Sequence, residues 1–341
     1  MVRLKQFEQI QDERHYDVVI LGGGINGTCL YDALCRQGYK VLLVDKGDFA
    51  SGTSQSSGMM VWGGLLYLRN FDFSSVFQFS HDRERMIDQK VRWIKPTMMR
   101  YLPAVGDRRT KWWVLSGLWF YWLMGMGRRR TPHAEAVFSE AELIHPDLVK
   151  ESLCYEEAFL NHSDARFVYH WIAGPRMPYQ MALNYCDMRG SYASGDKQWH
   201  WELIDALSSN VYPIQASMVV NCAGVWTDQV NAEFGIDSPV RHVFSKGVYL
   251  GIPNDERHQT SLFFELSKQN DVITHVPWGP VSLWGPTETA VETIAEGFSA
   301  TREDIDYLLD QYALRYRNPI DRNDIVSIRC GLRPLVVDKH Y

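Results

Sequence analysis

The clearest hydrophobic pattern in the chain lies near its amino terminus. Residues 18–21 (Val-Val-Ile-Leu) and 41–44 (Val-Leu-Leu-Val) are short aliphatic runs, as expected of parallel strands that are buried on both faces. Between them, apolar residues recur at helical spacing before Gly38 ends the helix: Cys29, Leu30, Ala33 and Leu34. The pattern predicts a strand, helix, strand unit over residues 16–45.

The rest of the chain alternates between helical and extended patterns. Residues 218–222 (Met-Val-Val-Asn-Cys) predict a further buried strand, residues 76–149 predict mostly helix, and residues 239–289 predict mostly strands. A helical pattern over residues 302–316 then leads back toward the first sheet. We find no internal repeat and no low-complexity linker.

A glycine-rich turn follows the first predicted strand. Gly22, Gly24 and Gly27 occupy the Gly-x-Gly-x-x-Gly positions, which permit a tight turn, a close approach of a pyrophosphate and close packing of helix on strand. Asp45 ends the second strand, where a carboxylate accepts hydrogen bonds from a ribose diol. An acidic residue here argues against a 2′-phosphorylated cofactor. The complete unit predicts a dinucleotide site.

The residues after Asp45 indicate which dinucleotide it is. The segment 46–58 is rich in hydroxyl and glycine residues, and residues 63–68 (Gly-Gly-Leu-Leu-Tyr-Leu) bring the backbone close to a flat group. Small hydroxyl side chains can bond a pyrophosphate and a ribityl chain, which favours a flavin over a nicotinamide.

Composition excludes several classes of protein. A chain of 341 residues with 45% hydrophobic and 22% charged residues is long enough for two folded domains. The net charge of -6 gives no support for nucleic-acid binding. The six cysteines form no Cys-x-x-Cys pair, which argues against zinc and disulfides and fits a cytoplasmic protein: Cys29, Cys35, Cys154, Cys186, Cys222 and Cys330. The first residues contain no apolar run of signal-peptide length, so we expect no export.

Residues 112–127 (WWVLSGLWFYWLMGMG) carry no charge and precede Arg128, Arg129 and Arg130. Sixteen residues are fewer than the roughly 20 that span a bilayer. The aromatic content and the arginines suit a helix lying in the membrane interface. The alternative is a helix buried in the fold or in a subunit contact, so we also keep a homodimer open.

Several motifs in order along the chain resemble the FAD-dependent glycerol-3-phosphate dehydrogenases, within the larger group of D-amino-acid oxidase-like flavoenzymes. They are FASGTS at 49–54, GGLLYL at 63–68, EEAFLNHSDAR at 156–166, VVNCAGVWTD at 219–228 and CGLRPL at 330–335. The resemblance implies an α/β fold with a Rossmann-like FAD-binding domain and a discontinuous α+β substrate (cap) domain. We expect the FAD-binding domain to comprise residues 15–75, 150–230 and 310–341, and the cap domain residues 76–149 and 231–309.

The motifs and the resemblance together define a set of expected FAD-binding residues. They are Gly22, Gly24, Gly27, Asp45, Lys46, Ser51, Thr53, Ser54, Ser57, Gly63, Gly64, Ala223, Gly224 and Trp226. The candidate catalytic residues are Tyr67, Tyr249, Thr287 and Arg333. Of these, Arg333 is the best candidate for binding an anionic group, and a structural salt bridge is the alternative. No metal ligand set is expected.

The chain departs from the family at several substrate-site positions. Leu66 stands where the family has a phosphate-binding arginine, Trp62 replaces a histidine, Met59 replaces a lysine and Pro286 replaces a threonine. A bidentate arginine contact with phosphate is strong, and leucine cannot replace it. The apolar wall formed by Met59, Met60, Trp62 and Leu66 favours a less highly charged substrate.

Tyr249 replaces the histidine that serves the family as proton acceptor. A tyrosine pKa is ordinarily about 10, so Tyr249 needs a large depression of its pKa to act as a base, or it only orients the substrate. His242 is a possible substitute, with a histidine at the surface or core edge as the alternative.

The resemblance implies oxidation of a secondary alcohol by hydride transfer to flavin N5, with reoxidation by quinone or another acceptor. Two alternatives stay open. One is oxidation of an amino acid, an amine or a 2-hydroxy acid, and the other is a catalytically silent FAD-binding relative. A membrane quinone implies peripheral contact with the inner face of the cytoplasmic membrane.

The family continues beyond the position of Tyr341 with an arginine-bearing segment and a Gly-Gly-Lys-Leu-Thr loop that closes over the flavin. We therefore expect either a fragment or a sequence that omits a carboxyl-terminal part. A chain that is complete at Tyr341 would hold FAD less firmly.

Overall fold

The structure is a computed structural model that describes residues 2–90, 92–103, 111–148, 152–174, 176–193, 198–266, 272–295 and 298–339. Within these ranges, strands form a six-stranded and a ten-stranded sheet, and helices cover parts of both. The mixed α/β architecture confirms the predicted fold class.

The six-stranded sheet, which we call the dinucleotide sheet, has the strand order β7-β2-β1-β10-β9-β8. Its strands are β1 (His15–Leu21), β2 (Val41–Val44), β7 (Gln180–Leu183), β8 (Cys186–Ala193), β9 (Gln198–Asp205) and β10 (Val211–Asn221). The first four strands of that order run parallel, and β9 and β8 add antiparallel pairs. The carboxyl ends of β1, β2 and β10 therefore lie at one edge, where α/β sheets bind their ligands.

The second sheet, which we call the large sheet, has the order β15-β11-β14-β13-β12-β4-β6-β3, with β16 paired to β11 and β5 paired to β6. Its strands are β3 (Met60–Val61), β4 (Ile94–Leu102), β5 (His133–Glu135), β6 (Ser152–Leu160), β11 (Val240–Pro253), β12 (Ser261–Glu265), β13 (Val272–Trp278), β14 (Val281–Gly285), β15 (Thr289–Val291) and β16 (Ser327–Asp338). The strand-rich character predicted for residues 239–289 is confirmed.

Seven α-helices are described. They are α1 (Val2–Asp12), α2 (Ile25–Arg36), α3 (Phe73–Gln89), α4 (Lys111–Met124), α5 (Asp164–Ile172), α6 (Thr227–Glu233) and α7 (Arg302–Ala313). Helix α2 is the predicted crossover between β1 and β2, and α7 falls in the predicted helical stretch. A Thr301–Asp304 capping box begins α7.

The structure differs from the sequence expectation in three places. The stretch 76–149 contains strands β4 and β5 beside its helices. Strands β6 and β16 pair within the large sheet, although we placed residues 150–230 and 310–341 with the FAD-binding domain. β6 is buried along nearly its whole length because its side chains pack in one core with residues of α3, α4 and β4. Periodicity alone does not reveal which sheet contains such a strand. The domain division itself stays a prediction.

Helix α4 contains most of the uncharged aromatic segment. Only Leu118 and Tyr121 of this helix are buried, whereas Trp112, Trp113 and Leu123 are exposed. Within the described residues, no helix combines the length and the apolar content needed to cross a bilayer.

Candidate functional site

The glycine turn has the tight geometry that the sequence predicts. Gly22 has φ of +107°, and a Cβ atom there would lie 2.4 Å from the carbonyl oxygen of Cys222. A Cβ atom on Gly27 would lie 1.9 Å from the carbonyl oxygen of Gly22. Both clashes are with backbone, so neither position can hold a side chain without moving β1 or β10 relative to α2.

A cavity of about 470 Å³ opens beside this turn, at the carboxyl ends of β1, β2 and β10. Most of the expected FAD-binding residues line it: Gly22, Gly24, Asp45, Lys46, Ser51, Thr53, Ser54, Ala223, Gly224 and Trp226. Gly27 lies behind them in the contact between helix and strand. The structure thus brings together residues from four separate segments of the chain.

Asp45 is fixed at the cavity wall by two backbone amides. Gly23 N donates to Oδ2 at 2.6 Å, and Gly47 N donates to Oδ1 at 2.8 Å. Burial raises the pKa of Asp45, and these two hydrogen bonds oppose part of that rise. A carboxylate can accept about four hydrogen bonds. Asp45 therefore keeps acceptor capacity for a ribose while the amides orient it.

Two hydroxyls of the 46–58 loop tie that loop to its neighbours. Ser54 Oγ accepts a hydrogen bond from Ile25 N at 3.0 Å, at the start of α2, and Thr53 Oγ1 donates to Leu332 O at 2.7 Å. The hydroxyl proton of Ser54 stays available for an anion, since a hydroxyl both donates and accepts. Thr53 uses its proton to fasten the loop to β16.

The cavity also includes residues that the sequence analysis missed. One wall is formed by the start of β8, at Cys186, Asp187 and Met188, and by Val230 and Phe234 of the α6 region. Together with Val44 these make a mostly apolar slot beside Asp45, which could hold a flat base such as adenine. No local motif marks them. β7 pairs with β2, and the chain after β7 bonds to the Asp45 segment, where Cys186 N donates to Asp45 O at 2.8 Å.

Trp226 closes the cavity on the side of the loop. Its ring stacks on Phe298 with centroids 5.6 Å apart, and Lys46 Nζ lies 4.3 Å from its centre. A Cβ atom on Gly52 would lie 3.1 Å from this ring. The lysine is thus held at the cavity edge, where its charge can meet phosphate.

Besides Gly27, three expected FAD-binding residues lie outside this cavity lining. Ser57 donates its backbone N–H and its hydroxyl to Asp164 Oδ2, at 2.9 and 2.8 Å. Gly63 and Gly64 begin the 3₁₀-helix Leu65–Asn70 and lie on a buried group of charged side chains. Their role toward a flavin ring stays a prediction.

The loop and the large sheet are in direct contact where a flavin ring would be expected. A Cβ atom on Gly331 would lie 2.6 Å from Ser56 Cβ, and one on Gly58 would lie 2.4 Å from the hydroxyl of Tyr249. The described residues therefore fit the nucleotide end of FAD. A second cavity, of about 500 Å³, lies beside the 3₁₀-helix Leu65–Asn70 and is lined by Leu65, Leu66 and Leu68.

Tyr249 lies on the face of β11 that meets this loop and is buried. Burial raises its pKa, whereas a hydrogen bond with Thr274 and the charge of Arg333 act in the opposite direction. Because a base near neutral pH needs a lowered pKa, Tyr249 suits the orienting role and not the role of proton acceptor.

Arg333 and Thr287 both have protein partners. Arg333 Nη1 lies 2.9 Å from Glu288 Oε2, and Ser245 also donates a hydrogen bond to Glu288. Thr287 is buried, and its Oγ1 accepts a hydrogen bond from Val248 N at 3.0 Å. The structure thus shows the salt bridge that was the alternative for Arg333, at a half-exposed position, and gives Thr287 a structural hydrogen bond.

Tyr67 lies apart from Arg333. It is partly exposed on the 3₁₀-helix Leu65–Asn70, and its ring contacts the rings of Trp62 and Phe79. Met59 is buried in the core, so the expected apolar wall is largely core packing.

His242 is also distant from Tyr249. The two residues are seven positions apart on β11, or about 23 Å at strand spacing. Nδ1 of His242 lies 2.7 Å from Asp228 Oδ1. The geometry does not support His242 as a substitute base for Tyr249.

Comparisons with known proteins show the family of the chain. A family model described as FAD dependent oxidoreductase matches residues 17–102 and 189–341. The chain is 30% identical over 337 residues to glycerol-3-phosphate dehydrogenase 2 of Mycobacterium tuberculosis. The matched region covers 94% of this chain and 55% of that relative. The chain thus spans about half the length of the relatives it matches.

Two solved structures share the fold. One is the glycerol-3-phosphate dehydrogenase from Bacillus halodurans complexed with FAD, with a TM-score of 0.71 and 21% identity over 98% of this chain and 60% of that one. The other is the FAD-bound L-alpha-glycerophosphate oxidase from Mycoplasma pneumoniae, with a TM-score of 0.70 and 15% identity over 95% of this chain and 84% of that one.

Proposed function

The chain belongs to the family of FAD-dependent oxidoreductases, and from that membership we propose that it takes part in the oxidation of a small secondary alcohol of the glycerol 3-phosphate type. One observation carries this proposal. The cavity of about 470 Å³ combines a glycine turn that admits no side chain, a ribose-binding carboxylate and a loop hydroxyl at a helix start.

When bound, FAD supplies the acceptor for the hydride that leaves the substrate. The residues of this chain bind and orient. Gly22, Gly24 and Asp45 hold the nucleotide end, Tyr249 donates a hydrogen bond toward the substrate, and Arg333 attracts its anionic group. Tyr67 is exposed and Thr287 Oγ1 accepts a hydrogen bond from Val248 N, so neither is assigned a step.

The visible spectrum of the purified protein tests this function. We expect a flavin band after incubation with FAD, and anaerobic bleaching of that band by glycerol 3-phosphate. A band that no compound in a panel of alcohols, amines and acids reduces would favour a catalytically silent FAD-binding protein. A protein that takes up no flavin would contradict the proposal.

A variant of the cavity wall provides the matched comparison. Gly24 faces the cavity, and the nearest atom to an added Cβ is the movable hydroxyl of Ser54 at 3.1 Å. Gly24→Val should therefore fold and lose the flavin band. Gly117→Val is the control, since an added Cβ atom at Gly117 would meet nothing within 4 Å.

A second function is favoured by the Arg333–Glu288 pair. A guanidinium and a carboxylate 2.9 Å apart on one half-exposed surface can bind the two charges of a zwitterion. The carboxylate of an α-amino acid would contact Arg333, and its ammonium group would contact Glu288. A phosphate monoester would instead be repelled by Glu288.

Two variants separate the two substrates. Glu288→Gln should improve reduction of the flavin by glycerol 3-phosphate if the alcohol is the substrate, because the opposing charge is removed. The same change should impair reduction by an α-amino acid if the zwitterion is the substrate. Arg333→Met should impair both.

We further propose that an aromatic surface on α3, α4 and the preceding loop contacts a membrane and gives access to a quinone acceptor. The exposed residues of this aromatic surface are Phe71, Phe73, Phe77, Trp112, Trp113, Trp119, Phe120 and Leu123. Exposed patches of this kind mark interaction sites. Arg128 and Arg130 lie exposed beyond α4, where basic residues favour anionic lipid.

Flotation with anionic vesicles tests this contact. Trp112→Ser with Trp113→Ser should reduce the vesicle-bound fraction about tenfold or more, since each ring loses its burial in the lipid interface. Val137→Ser with Leu207→Ser removes equally exposed apolar residues elsewhere and should have little effect. A wild-type protein that stays off vesicles and sediments as a dimer would assign the aromatic surface to self-association.

A further inference from the structure

A buried group of charged and hydroxyl side chains lies beneath the Gly63–Gly64 turn. Arg83 Nη1 lies 2.9 Å from Glu157 Oε2 and donates to the hydroxyl of Tyr121 at 2.8 Å. Tyr121 in turn donates to Glu157 Oε1 at 2.5 Å. On the other side of the guanidinium, Arg83 Nη2 lies 3.1 Å from Glu84 Oε1. Each of these four side chains is at most 4% exposed.

The turn rests directly on this group. Gly63 N donates to Glu157 Oε2 at 3.4 Å, and Gly63 O accepts from Ser80 Oγ at 3.2 Å. A Cβ atom on Gly63 would lie 2.2 Å from the hydroxyl of Tyr121 and 2.8 Å from Arg83 Nη1. Gly64 then takes φ of +86°, which glycine adopts readily. The position of the turn is therefore set by the atoms below it.

Burial makes this arrangement sensitive to the loss of any one partner. Burial raises the pKa of Glu157, while Arg83 and the hydroxyl of Tyr121 oppose that rise. A buried charge that loses a hydrogen bond has no water to replace it. The group is therefore expected to hold one geometry, and to lose it when a single bond is removed.

The same group is linked to the aromatic helix. Tyr121 belongs to α4, and Arg129, which follows α4, donates to Glu84 Oε2 at 2.6 Å. A Cβ atom on Gly125 would lie 3.0 Å from Arg83 Nη2. Helix α4 and the Gly63–Gly64 turn thus share one set of buried bonds.

We infer that Tyr121 is a positioning residue that acts through Glu157 to fix the Gly63–Gly64 turn at the flavin end of the site. This inference rests on the proposed function only for the part that concerns the flavin. The contacts that position the Gly63–Gly64 turn involve only described side chains and do not depend on a cofactor.

Hydrogen exchange at the amides of Gly63 and Gly64, measured without added cofactor, tests the hold on the turn. Tyr121→Phe removes one hydroxyl and keeps the ring, so these amides should exchange about tenfold faster. Tyr155→Phe is the matched control. Its ring lies 6.3 Å from that of Tyr121 in the same core, but its hydroxyl bonds only to Met99 Sδ at 3.6 Å. In Tyr155→Phe, the amides of Gly63 and Gly64 should exchange at rates within about twofold of those in the wild type.

FAD affinity and the visible circular dichroism of bound flavin test the link to the cofactor. Tyr121→Phe should weaken FAD binding about fivefold and change the dichroism, and Glu157→Gln should act in the same direction, whereas Tyr155→Phe should do neither. Equal exchange in the two tyrosine variants would overturn the inference. Suppose that exchange is faster in Tyr121→Phe but not in Tyr155→Phe, and that the wild-type protein binds no FAD. This result would contradict the proposed function, and it would still show that Tyr121 positions the turn.

Discussion

The nucleotide end and the substrate end of the candidate site differ in how their polar groups are bonded. At the nucleotide end, Asp45 and Ser54 are oriented by backbone amides and still face an open cavity. At the substrate end, Arg333 is paired with Glu288, and Tyr249 packs against the loop. The nucleotide end is therefore prepared for a ligand, whereas the substrate end is held closed by its own contacts.

The difference has a physical basis in the glycines. At the nucleotide end, Gly22 and Gly27 are packed against backbone atoms, which cannot move without shifting a strand. At the substrate end, the nearest neighbours of Gly247 are the atoms of the Arg333 guanidinium, and that of Gly331 is Ser56 Cβ. Side chains can rotate or shift, so the substrate end can open while the nucleotide end stays rigid.

The largest effect should come from substituting these glycines. Gly27→Ala should lower the free energy of unfolding by about 3 kcal/mol or more, because its methyl group meets the Gly22 carbonyl oxygen. Gly247→Ala should cost about 1 kcal/mol or less, since the Arg333 side chain can rotate away. Urea unfolding of both variants measures the difference, and equal costs would contradict the contrast between the two ends.

Acid should destabilise the large sheet. Burial lowers the pKa of His258 to about 4, although Glu140, two backbone hydrogen bonds and Asp255 oppose this. Burial and the neighbouring His258 also lower the pKa of His275. In the unfolded chain a histidine pKa is about 6.5. Between about pH 4 and pH 6.5 the unfolded state therefore binds more protons than the folded state. The free energy of unfolding falls as the pH decreases through this range.

For His258 alone, the loss approaches about 3 kcal/mol at the acid end of this window. Urea unfolding of wild type and His258→Gln at pH 7 and pH 5 measures it. The variant should show a smaller pH dependence than wild type. The same slope in both proteins would show that His258 does not titrate with folding.

The smallest effect on stability is expected at the Arg333–Glu288 pair. Both side chains are about two-fifths exposed, so solvent screens their attraction, and Arg333→Met should change the free energy of unfolding by about 0.5 kcal/mol. Flavin reduction by an anionic substrate should nevertheless be strongly impaired. Thermal unfolding together with anaerobic reduction kinetics separates the two effects, and a loss of several kcal/mol would give Arg333 a structural role.

The sequence predicted the nucleotide end well because its signals are local. The glycine spacing, the aliphatic strand and the acidic residue at the strand end all lie within residues 16–45, and each is a local signal of backbone conformation. The contacts around Arg333 and Tyr249 could not be read from the sequence because they join distant segments of the chain. The pairing of Arg333 with Glu288, and the contact of Tyr249 with Gly58, depend on how β11, β16 and the loop meet.

The same reasoning explains the fold. Short aliphatic runs identified β1 and β2, and the mixed pattern of residues 94–102 concealed β4 inside a stretch that we predicted to be helical. The apolar slot at Met188 and Phe234 was missed because no motif marks it, and tertiary contacts of β8 and α6 place it beside Asp45.

Competition for FAD binding tests the contrast between the two ends most directly. Wild-type protein is saturated with FAD, ADP or riboflavin is added in excess, and the FAD that stays bound is quantified chromatographically after the protein is separated from free ligand. If the nucleotide end provides most of the affinity, ADP displaces FAD and riboflavin does not. Displacement by riboflavin but not by ADP would contradict this account.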